Sequence, residues 1–448
     1  MPLPPAAAAA LARLETFGMH LGLDHVRRLL GELGHPERGL PVVLVAGTNG
    51  KGSTAALLAA AGRAAGYRAG LYTSPHLETV EERVRVDGER VGGEELGALV
   101  LEVVAAGERV LPAPPTYFEA LTAAALLCFR RRAVELAVLE VGLGGRLDAT
   151  NAADPAVSVI TPVALEHQEQ LGDTLAAIAG EKAGVMRRGR PTVAWGGEPE
   201  VAAALRAAAA AAGAELLLLG EGDAAASALP LPGAPWEGQR IVLATAAGAV
   251  ELTVPLLGRH QAVNAALAWA CAERMARHGW PRLDAAAFRR GAAAWRWPAR
   301  LEPVTLPAGA PCRRVLLDAA HNPDGAAALA RFLADPPAPF PAPPVLLVGV
   351  LADKDAAAML ASLAPRAGRL VLTLPPHQRG RDPRELLALL PAGTAADVEP
   401  DPTAALDHAL ALTRARATGA DTLVVCGSLY LVGAARTGLR RRFGVPAD

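Results

Sequence analysis

Lysine and asparagine are nearly absent from this 448-residue chain, although basic residues as a class are not. Three of its 44 lysines and arginines are lysine, at Lys51, Lys182 and Lys354, and asparagine occurs four times. Arginine therefore serves almost everywhere that the chain needs a cation. Lysine carries a compact primary amine that can become neutral and be modified, whereas arginine does not. We therefore expect the lysines in unusual local contexts to have roles that arginine cannot fill.

Other scarcities exclude whole classes of protein. The four cysteines, Cys128, Cys271, Cys312 and Cys426, lie far apart without CxxC spacing, which predicts packed, reduced thiols in a cytoplasmic protein. The formal net charge of −1 leaves no basic field for nucleic acid or an anionic membrane. No apolar run reaches the ~18 residues of a membrane-spanning helix. The Ala-rich N-terminus lacks the basic segment of a signal peptide.

Strand and helix patterns alternate along the first two thirds of the chain. Strand-like runs occur at 42–46, 69–73, 136–141, 157–161 and 192–195, with helical spacing between most of them. This alternation predicts a mainly parallel, doubly wound sheet flanked by helices. A short hairpin is predicted at 239–243 and 249–254.

The stretch WRWPARLEPV, residues 295–304, interrupts this rhythm and predicts a domain linker. A second α/β rhythm follows, and its strand patterns lie at 314–318, 345–349, 369–373 and 422–426. We predict an N-terminal domain over 1–297 with a P-loop-type, mainly parallel sheet, and a smaller, Rossmann-like α/β domain over 298–448. Ligands are expected in a cleft between the two domains. The Pro-rich segment 335–344 is predicted to be an exposed loop.

The segment VVLVAGTNGKGST, residues 42–54, predicts a phosphate-binding loop. Three glycines let the backbone approach an anion closely: Gly47, Gly50 and Gly52. The following helix offers free N–H groups, Lys51 adds a charge, and Ser53 and Thr54 add hydroxyls for phosphate or Mg²⁺. The glycine between the lysine and the hydroxyls argues against the loop of GTPases and kinases, where Ser or Thr follows Lys directly.

Polar side chains follow further strands of the same predicted sheet. Ser74 lies in SPHL, Glu140 ends an apolar strand, and His167 follows Glu166 after a third strand. Mg²⁺ prefers a few carboxylates together with phosphate oxygens, so this edge predicts a metal site. For His167, metal ligation and a structural role both stay open. Lys182 lies in GEKAGVM on a predicted helix, where the scarcity of lysine argues against an ordinary surface role.

Later motifs add polar groups that could reach a nucleotide. The helix beginning at GRHQAVN carries Asn264, which could contact a base or phosphate or could serve capping and packing. The segment VLLDAAHNPDG places Asp318 and His321 between a strand and a helix start. We expect Asp318, His321 and Arg300 to point across the cleft at the nucleotide.

Taken in order, eleven motifs resemble those of folylpolyglutamate synthase, often bifunctional with dihydrofolate synthase, in the Mur ligase superfamily. They are GTNGKGST, SPHL, ERVRVDG, TYFEALT, EVGLGGRLDATN, EKAG, GRHQxxN, WPARLE, DAAHNPDG, ADKD and GSLYLVG. The resemblance runs from about Thr16 to the last helix. It implies an ATP-dependent amide ligase that phosphorylates the carboxylate of (tetrahydro)folate, or of dihydropteroate, and joins it to the α-amino group of L-glutamate.

The resemblance also implies roles for individual residues. ATP-contacting positions are Thr48, Asn49, Gly50, Lys51, Gly52, Ser53, Thr54, Asn264, Arg300 and Asp318. Pterin-pocket positions are Thr116, Tyr117, Phe118, Glu119, Leu147, Asp148 and Ala149. Positions for two Mg²⁺ ions are Ser74, Glu140, His167 and Lys182, and the catalytic groups are Lys51, Lys182 and His321. Lys182 matches the lysine that the family carboxylates to a carbamate, which a guanidinium cannot form.

Three departures from the family pattern stand out. Glu166 replaces the Asp that commonly precedes the metal histidine, and Trp297–Pro298–Ala299–Arg300 replaces the common W-P-G-R. The N-terminal stretch Gly18–Met19–His20–Leu21 does not match the loop associated with dihydropteroate binding. The resemblance therefore supports glutamate addition to folate more directly than dihydrofolate synthesis. It also implies a monomer, because such enzymes build their active site within one chain.

Two rival functions share part of this pattern. A Mur-type cell-wall ligase acting on a UDP-sugar peptide would share the loop and Lys182, but TYFE and EVGLGGRLDATN favour the folate branch. A nucleotide-binding switch without ligase chemistry would favour an N-K-x-D motif, which is absent, and would leave Lys182 unexplained.

Overall fold

The computed structural model describes residues 2–15, 18, 20, 22–220, 226–245, 248–335, 342–415 and 422–445. The chain divides into two compact units. The first unit comprises Met1–Ser227, Ile241–Thr253 and Gln261–Trp295, and the second comprises Ala228–Arg240, Val254–His260 and Arg296–Asp448. Both are built from alternating helices and strands, which confirms the predicted α/β class.

The first unit begins with helices and continues as a wound sheet. Its elements through β8 are α1 Pro5–Glu15, α2 Asp24–Glu32, β1 Val42–Ala46, α3 Lys51–Ala64, β2 Ala69–Tyr72, β3 Val84–Val86, β4 Glu89–Arg90, α4 Gly93–Val110, α5 Tyr117–Arg131, β5 Leu136–Glu140, β6 Val157–Ile160, α6 Gln168–Leu171, α7 Leu175–Ala183, β7 Pro191–Trp195, α8 Pro199–Ala212 and β8 Glu215–Leu219. Short 3₁₀ helices cover Val80–Arg83 and Ala149–Ala152. Helix α4 packs against α1, α2 and α5.

Eight strands form one sheet in the order β4-β3-β2-β5-β1-β6-β7-β8. Neighbours from β2 to β8 are parallel, and β3 and β4 extend the sheet in antiparallel fashion. All five residues of β1 are buried, as expected for an apolar parallel strand that is covered on both faces. The loops that follow β2, β5, β1 and β6 therefore leave one edge of the sheet side by side.

A small separate sheet follows β8. Its strands are β9 Ala226–Pro230, β10 Gln239–Thr245 and β11 Gly248–Val254, in the order β11-β10-β9. The neighbouring β10 and β11 confirm the predicted hairpin strands, whereas β9, with its sequence ASALP, lacks the β-branched residues that would reveal it. Helices α9 His260–Arg277 and α10 Ala285–Ala293 come next, and α10 packs against α3.

The second unit contains a six-stranded sheet. Its elements are β12 Glu302–Thr305, β13 Arg314–Leu317, α11 Pro323–Ala334, β14 Val345–Val348, α12 Ala356–Leu363, β15 Arg369–Leu372, α13 Pro383–Ala388, β16 Ala396–Val398, α14 Pro402–Ala415, β17 Thr422–Cys426 and α15 Leu429–Phe443. The strand order is β12-β13-β17-β14-β15-β16. Only β12, among the described strands of this sheet, pairs in antiparallel fashion.

The predicted linker 295–304 is wrong in its last three residues. Residues 302–305 form β12, which pairs with β13 at the edge of the second sheet. Pro303 favours a break in a sequence pattern, but an edge strand accepts proline because one side needs no ladder hydrogen bond. Most of the predicted loop 335–344 lies outside the described residues.

The four cysteines are buried free thiols, which confirms that they are packed. Among the described residues, none of the helices combines the length and the apolar character required to span a bilayer. The chain thus places its apolar residues in the two α/β cores.

The three-residue strand β16 is secured by an ion pair that predicts a pH effect. The Nε of Arg369 on β15 donates to Oδ2 of Asp397 at 2.7 Å, and His408 lies beside the same carboxylate. The Arg369 hydrogen bonds, helped by His408, lower the pKa of Asp397 to about 2. We expect Asp397→Asn to cost ~0.5–1 kcal/mol of stability at pH 7, because the pair is partly exposed.

A depressed pKa stabilises the fold above the ordinary pKa of aspartate and ceases to do so as pH falls through the folded value. The difference between wild type and Asp397→Asn in urea unfolding should therefore shrink between pH 4 and pH 2. Asp382→Asn, at an exposed helix start in the same unit, serves as the control for a general charge effect. A difference that grows as pH falls would contradict this account.

Candidate active site

The loop after β1 is held in place by hydrogen bonds to the segment that follows β6. The backbone N–H groups of Thr48 and Asn49 both donate to the carbonyl of Pro162, at 2.9 and 3.3 Å. The hydroxyl of Thr48 donates to the carbonyl of Ala164 at 3.2 Å and accepts from its N–H at 3.1 Å. The two loops are therefore fixed to each other by hydrogen bonds. Within the loop after β1, Nζ of Lys51 donates to the carbonyl of Thr48 at 3.0 Å.

Two glycines make this loop sterically possible. Gly47 has φ 139°, and a Cβ there would lie 1.8 Å from Oγ1 of Thr161. Gly50 has φ 89° at the start of α3, and a Cβ there would lie 2.2 Å from Oδ1 of Asn264. The sequence predicted backbone freedom at these positions, and the structure adds close approach by two specific side chains.

The residues predicted to contact ATP at the start of α3 differ in their exposure to solvent. Lys51 is half-buried, whereas Ser53 and Thr54 are fully buried. The indole N–H of Trp295 donates to the carbonyl of Ser53 at 3.0 Å, which fixes this turn from behind. The accessible side chains of this loop are thus Lys51 and Asn49, which are both partly exposed.

Lys182 lies beneath the same loop. It is on α7, is 4% exposed, and donates from Nζ to the carbonyl of Gly47 at 2.7 Å. Burial and, after it, repulsion from Lys51 lower the pKa of this amine to about 7, against weaker attraction from Glu166 and Asp148. A buried amine near neutral pKa is available as a nucleophile in a way that a surface lysine is not.

Glycines also allow α7 to reach this position. A Cβ on Gly145 would lie 2.8 Å from the carbonyl oxygen of Lys182, and one on Gly184 would lie 2.3 Å from Cβ of Arg146. Arg146 donates its backbone N–H to the carbonyl of Glu181 at 2.9 Å and pairs with its side chain. The EVGLGGRLDATN and EKAG motifs therefore pack directly on each other.

Glu140 and Ser74 are neighbours at the ends of β5 and β2. Glu140 is buried, and its Oε2 accepts from the backbone N–H of Ser74 at 3.1 Å. A carboxylate beside a hydroxyl on the edge that carries the phosphate loop fits the oxygen preference of Mg²⁺. His167 follows β6 in a left-handed conformation with φ 52°, and its Nε2 lies 3.9 Å from Glu166.

The predicted pterin-pocket residues lie around the start of α5 and the loop after β5. Gly142 brings them together, because a Cβ there would lie 2.6 Å from the ring of Phe118 and 3.1 Å from Oδ2 of Asp148. Tyr117 lies under the guanidinium of Arg83, whose Cζ is 5.1 Å from the ring centre. Leu147 is partly exposed and Ala149 is buried.

Asp148 and Glu119 are both engaged with the backbone. Asp148 accepts from the N–H groups of Leu143 and Thr150 at 2.9 and 3.0 Å, and burial raises its pKa despite these bonds. Glu119 and Thr116 form a reciprocal capping box at the start of α5, with bonds of 2.8 and 3.1 Å. Their first role in the fold is therefore to shape the pocket wall.

The sequence did not reveal a contact to this wall from the N-terminal segment. Nδ1 of His20 lies 3.6 Å from Oε1 of Glu119, and the ring of His20 stacks on His25. These three side chains form the group of potential metal ligands found among the described residues. Of the unmatched stretch 18–21, Met19 and Leu21 lie outside the described residues.

The second unit gathers Arg300, Asp318 and His321. Asp318 is buried and accepts from the N–H groups of Leu301 and Ala320 at 2.8 and 2.9 Å. Burial raises the pKa of Asp318, against the attraction of Arg300 and His321. Nδ1 of His321 lies 2.8 Å from the carbonyl of Ala319.

The GRHQxxN motif divides between the two units. Asn264 lies by Gly50 in the first unit and donates to Gln261 at 2.8 Å. His260 belongs to the second unit, where burial, together with Arg300 and Arg331, lowers its pKa to about 4. Both residues lie at the start of α9, as the sequence spacing indicates, but the spacing could not show that they belong to different units.

Comparisons with known proteins agree with this architecture. Residues 45–272 match the Mur ligase middle domain, and residues 299–429 match the Mur ligase, glutamate ligase domain. The folylpolyglutamate synthase of Lacticaseibacillus casei is 38% identical over 92% of this chain and 94% of its own length. The chain belongs to the folylpolyglutamate synthase family of Mur ligases.

Within this family, similarity extends to solved structures and to longer proteins. The E. coli FolC structure in complex with DHPP and ADP superimposes with a TM-score of 0.83 at 32% identity, covering 99% of this chain and 100% of that one. A probable bifunctional folylpolyglutamate synthase/dihydropteroate synthase of Haloferax volcanii is 40% identical over 95% of this chain but 49% of its own length. This chain spans about half the length of the first curated relatives that it matches.

The contact between Gly50 and Asn264 predicts a specific instability. Gly50→Ala forces a left-handed alanine, which costs ~1–2 kcal/mol, and drives a methyl group into Oδ1 of Asn264, which adds ~1–3 kcal/mol as overpacking. Thermal and urea unfolding should show the sum of both terms.

Gly34→Ala is the matched control, because Gly34 has φ 76° and open space around its would-be Cβ. It should show only the conformational cost. The double variant Gly50→Ala/Asn264→Ala should recover the overpacking part. Equal effects of the two single glycine variants would show that Asn264 does not constrain the loop.

Proposed function

We propose that this chain is an ATP-dependent ligase that adds L-glutamate to (tetrahydro)folate. The observation that carries the proposal is the buried Lys182 amine, bonded to the carbonyl of Gly47 beneath a phosphate loop, in a chain of the folylpolyglutamate synthase family. The similar curated proteins are named folylpolyglutamate synthases, so the UDP-sugar alternative is not favoured.

The reaction transfers two groups in turn. An oxygen of the folate carboxylate attacks the γ-phosphorus of ATP, and ADP leaves with the bridging oxygen. The neutral α-amino group of L-glutamate then attacks the acyl carbon, phosphate leaves, and the nitrogen loses one proton as the amide N–H forms. Both steps move phosphate charge, so catalysis depends on positioning and on fixed positive groups.

The residues of the loop suit the phosphoryl step. The N-terminus of α3 and Lys51 supply positive potential where phosphate charge would lie. We assign Mg²⁺ to Glu140 and Ser74, which are neighbours at the ends of β5 and β2. We also assign it to His167, which follows β6. The metal would neutralise phosphate oxygens when bound. We further assign the ATP contacts Thr48, Asn49, Asn264, Arg300 and Asp318, with His321 beside them.

We also propose that Lys182 carries a carbamate in the active enzyme. The neutral form of the lysine amine attacks CO₂, and its nitrogen loses a proton. An anionic carbamate with oxygen ligands then stands where the protonated lysine would carry a positive charge. The low pKa of Lys182 supports this reaction, because more of its amine is neutral near pH 7 than for an exposed lysine. The carbamate oxygens would help to hold a second Mg²⁺.

The remaining assignments concern substrates and organisation. We assign ATP and pterin binding to residues 1–297 and glutamate ligation to residues 298–448, a division supported by the two family matches. Dihydropteroate is proposed as a second substrate, because an E. coli relative carries both activities in its name. We propose a cytoplasmic monomer, and the four buried free thiols are consistent with a reducing compartment.

The decisive assay measures phosphate release by the purified protein with ATP, Mg²⁺ and L-glutamate. Tetrahydrofolate should stimulate release, and mass spectrometry should show a product heavier by one glutamate. Parallel reactions contain dihydropteroate or a UDP-sugar peptide. Stimulation by the UDP-sugar peptide and by neither pterin would overturn the proposal.

Lys182→Ala should reduce glutamate addition by at least ~10³-fold, since it removes the amine that would carry the carbamate. Added formate or acetate should restore part of the activity by supplying carboxylate oxygens to the vacated space. Ser158→Ala is the control, because its hydroxyl donates to the carbonyl of Val185, just after α7, and not to the carbonyl of Gly47. Full activity of Lys182→Ala would exclude a role for this lysine.

A further inference from the structure

The backbone around Arg300 is strained on both sides. Ala299 has φ 59° and Leu301 has φ 48°, so two residues with side chains adopt the left-handed conformation. L-amino acids avoid this conformation because the Cβ crowds the following carbonyl oxygen. Such residues persist only where neighbouring groups hold them in place. The turn that carries Arg300 therefore needs a clamp.

The clamp consists of two carboxylates, the buried Asp318 and the partly buried Glu302. Oε2 of Glu302 accepts from the backbone N–H of Ala299 at 2.8 Å. Oδ2 of Asp318 accepts from the backbone N–H of Leu301 at 2.8 Å. Each strained residue thus donates its N–H to a different acid. The carbonyl of Ala299 also accepts from the N–H of Ala319 at 2.9 Å, which ties the turn to the end of β13.

Glu302 is itself held by a cation on another element. Nε of Arg436, on α15, donates to Oε1 of Glu302 at 3.1 Å. The Arg436 side chain is 5% exposed and that of Glu302 is 20% exposed, so this pair is largely removed from water. Loss of one partner in such a pair leaves an uncompensated charge. One oxygen of Glu302 therefore faces the turn while the other is fixed by α15.

We infer that Arg436 and Glu302 are positioning residues for the guanidinium of Arg300. They hold the 299–302 turn in the conformation that sets the direction of the Arg300 side chain, and α15 thereby controls nucleotide binding without touching the nucleotide. This inference rests on the proposed function, which assigns Arg300 to ATP. Arg436 thereby acts on the Arg300 turn through a chain of two hydrogen bonds.

The test combines ADP binding by calorimetry with steady-state kinetics. Arg436→Met should weaken ADP binding and raise KM for ATP by about tenfold, with a smaller fall in kcat. Arg300→Ala should have an effect of the same kind. Because Arg436 acts through Arg300, the double variant should bind ADP about as weakly as Arg300→Ala alone.

Two further variants separate positioning from general stability. Arg442→Met is the matched control on the same helix, since Arg442 pairs with Asp407 on α14 by a 2.7 Å bond and not with Glu302. It should leave ADP affinity and KM unchanged. Ala299→Gly in the Arg436→Met background should restore part of the ADP affinity, because glycine adopts the left-handed conformation without a clamp. Arg436→Lys should give an intermediate affinity, and it replaces Arg436→Met if circular dichroism shows that variant unfolded.

The outcomes distinguish this inference from the proposed function. Additive effects of Arg300→Ala and Arg436→Met, or unchanged ADP affinity in folded Arg436→Met, would overturn the inference while ligase activity stands. Wild type that binds ADP but adds no glutamate would overturn the proposed function, and the binding cycle would still report on Arg436. Wild type that binds no ADP would overturn both.

Discussion

The buried amine of Lys182 is the constraint around which the first unit is arranged. An ammonium group removed from water is costly, and that of Lys182 donates to a backbone carbonyl of the phosphate loop. Burial and the nearby Lys51 move its pKa toward neutrality. The site therefore keeps an amine where other buried positions carry apolar groups, and a sequence nearly free of lysine retains one there.

Glycines allow that amine to approach the loop. Gly145 and Gly184 let α7 and the loop after β5 come into backbone contact, and Gly47 gives room to Thr161 beside the carbonyl that accepts from Lys182. A side chain at any of these positions would separate the elements by a distance comparable to a methyl group. The conformational cost of glycine in this region is offset by the close packing that it permits.

Buried carboxylates play a matching structural part in both units. Asp148 and Asp318 each accept two or more backbone N–H bonds in an apolar setting, and burial raises the pKa of both. Each organises a turn that carries predicted ligand-binding residues. Glu119, which is buried, and Glu302, which is partly buried, also accept backbone N–H bonds and organise turns in this way.

Local patterns in the sequence were sufficient to predict the buried strands and the family. Uninterrupted apolar runs such as VVLVA marked the buried parallel strands, and the order of the motifs marked the family, because both signals lie within short segments. Edge strands such as β12 and β16 escaped detection because they are short and bury little apolar surface.

Only the tertiary structure decided which distant residues meet. It put Asn264 by Gly50 and His260 by Arg300, although four positions separate them in sequence, and it joined Glu302 to Arg436 across 134 positions. Hydrogen bonds and ion pairs between remote segments depend on how helices and strands pack together. The spacing of residues along the chain carries no record of that packing, and for this reason the clamp on Arg300 became visible only in the fold.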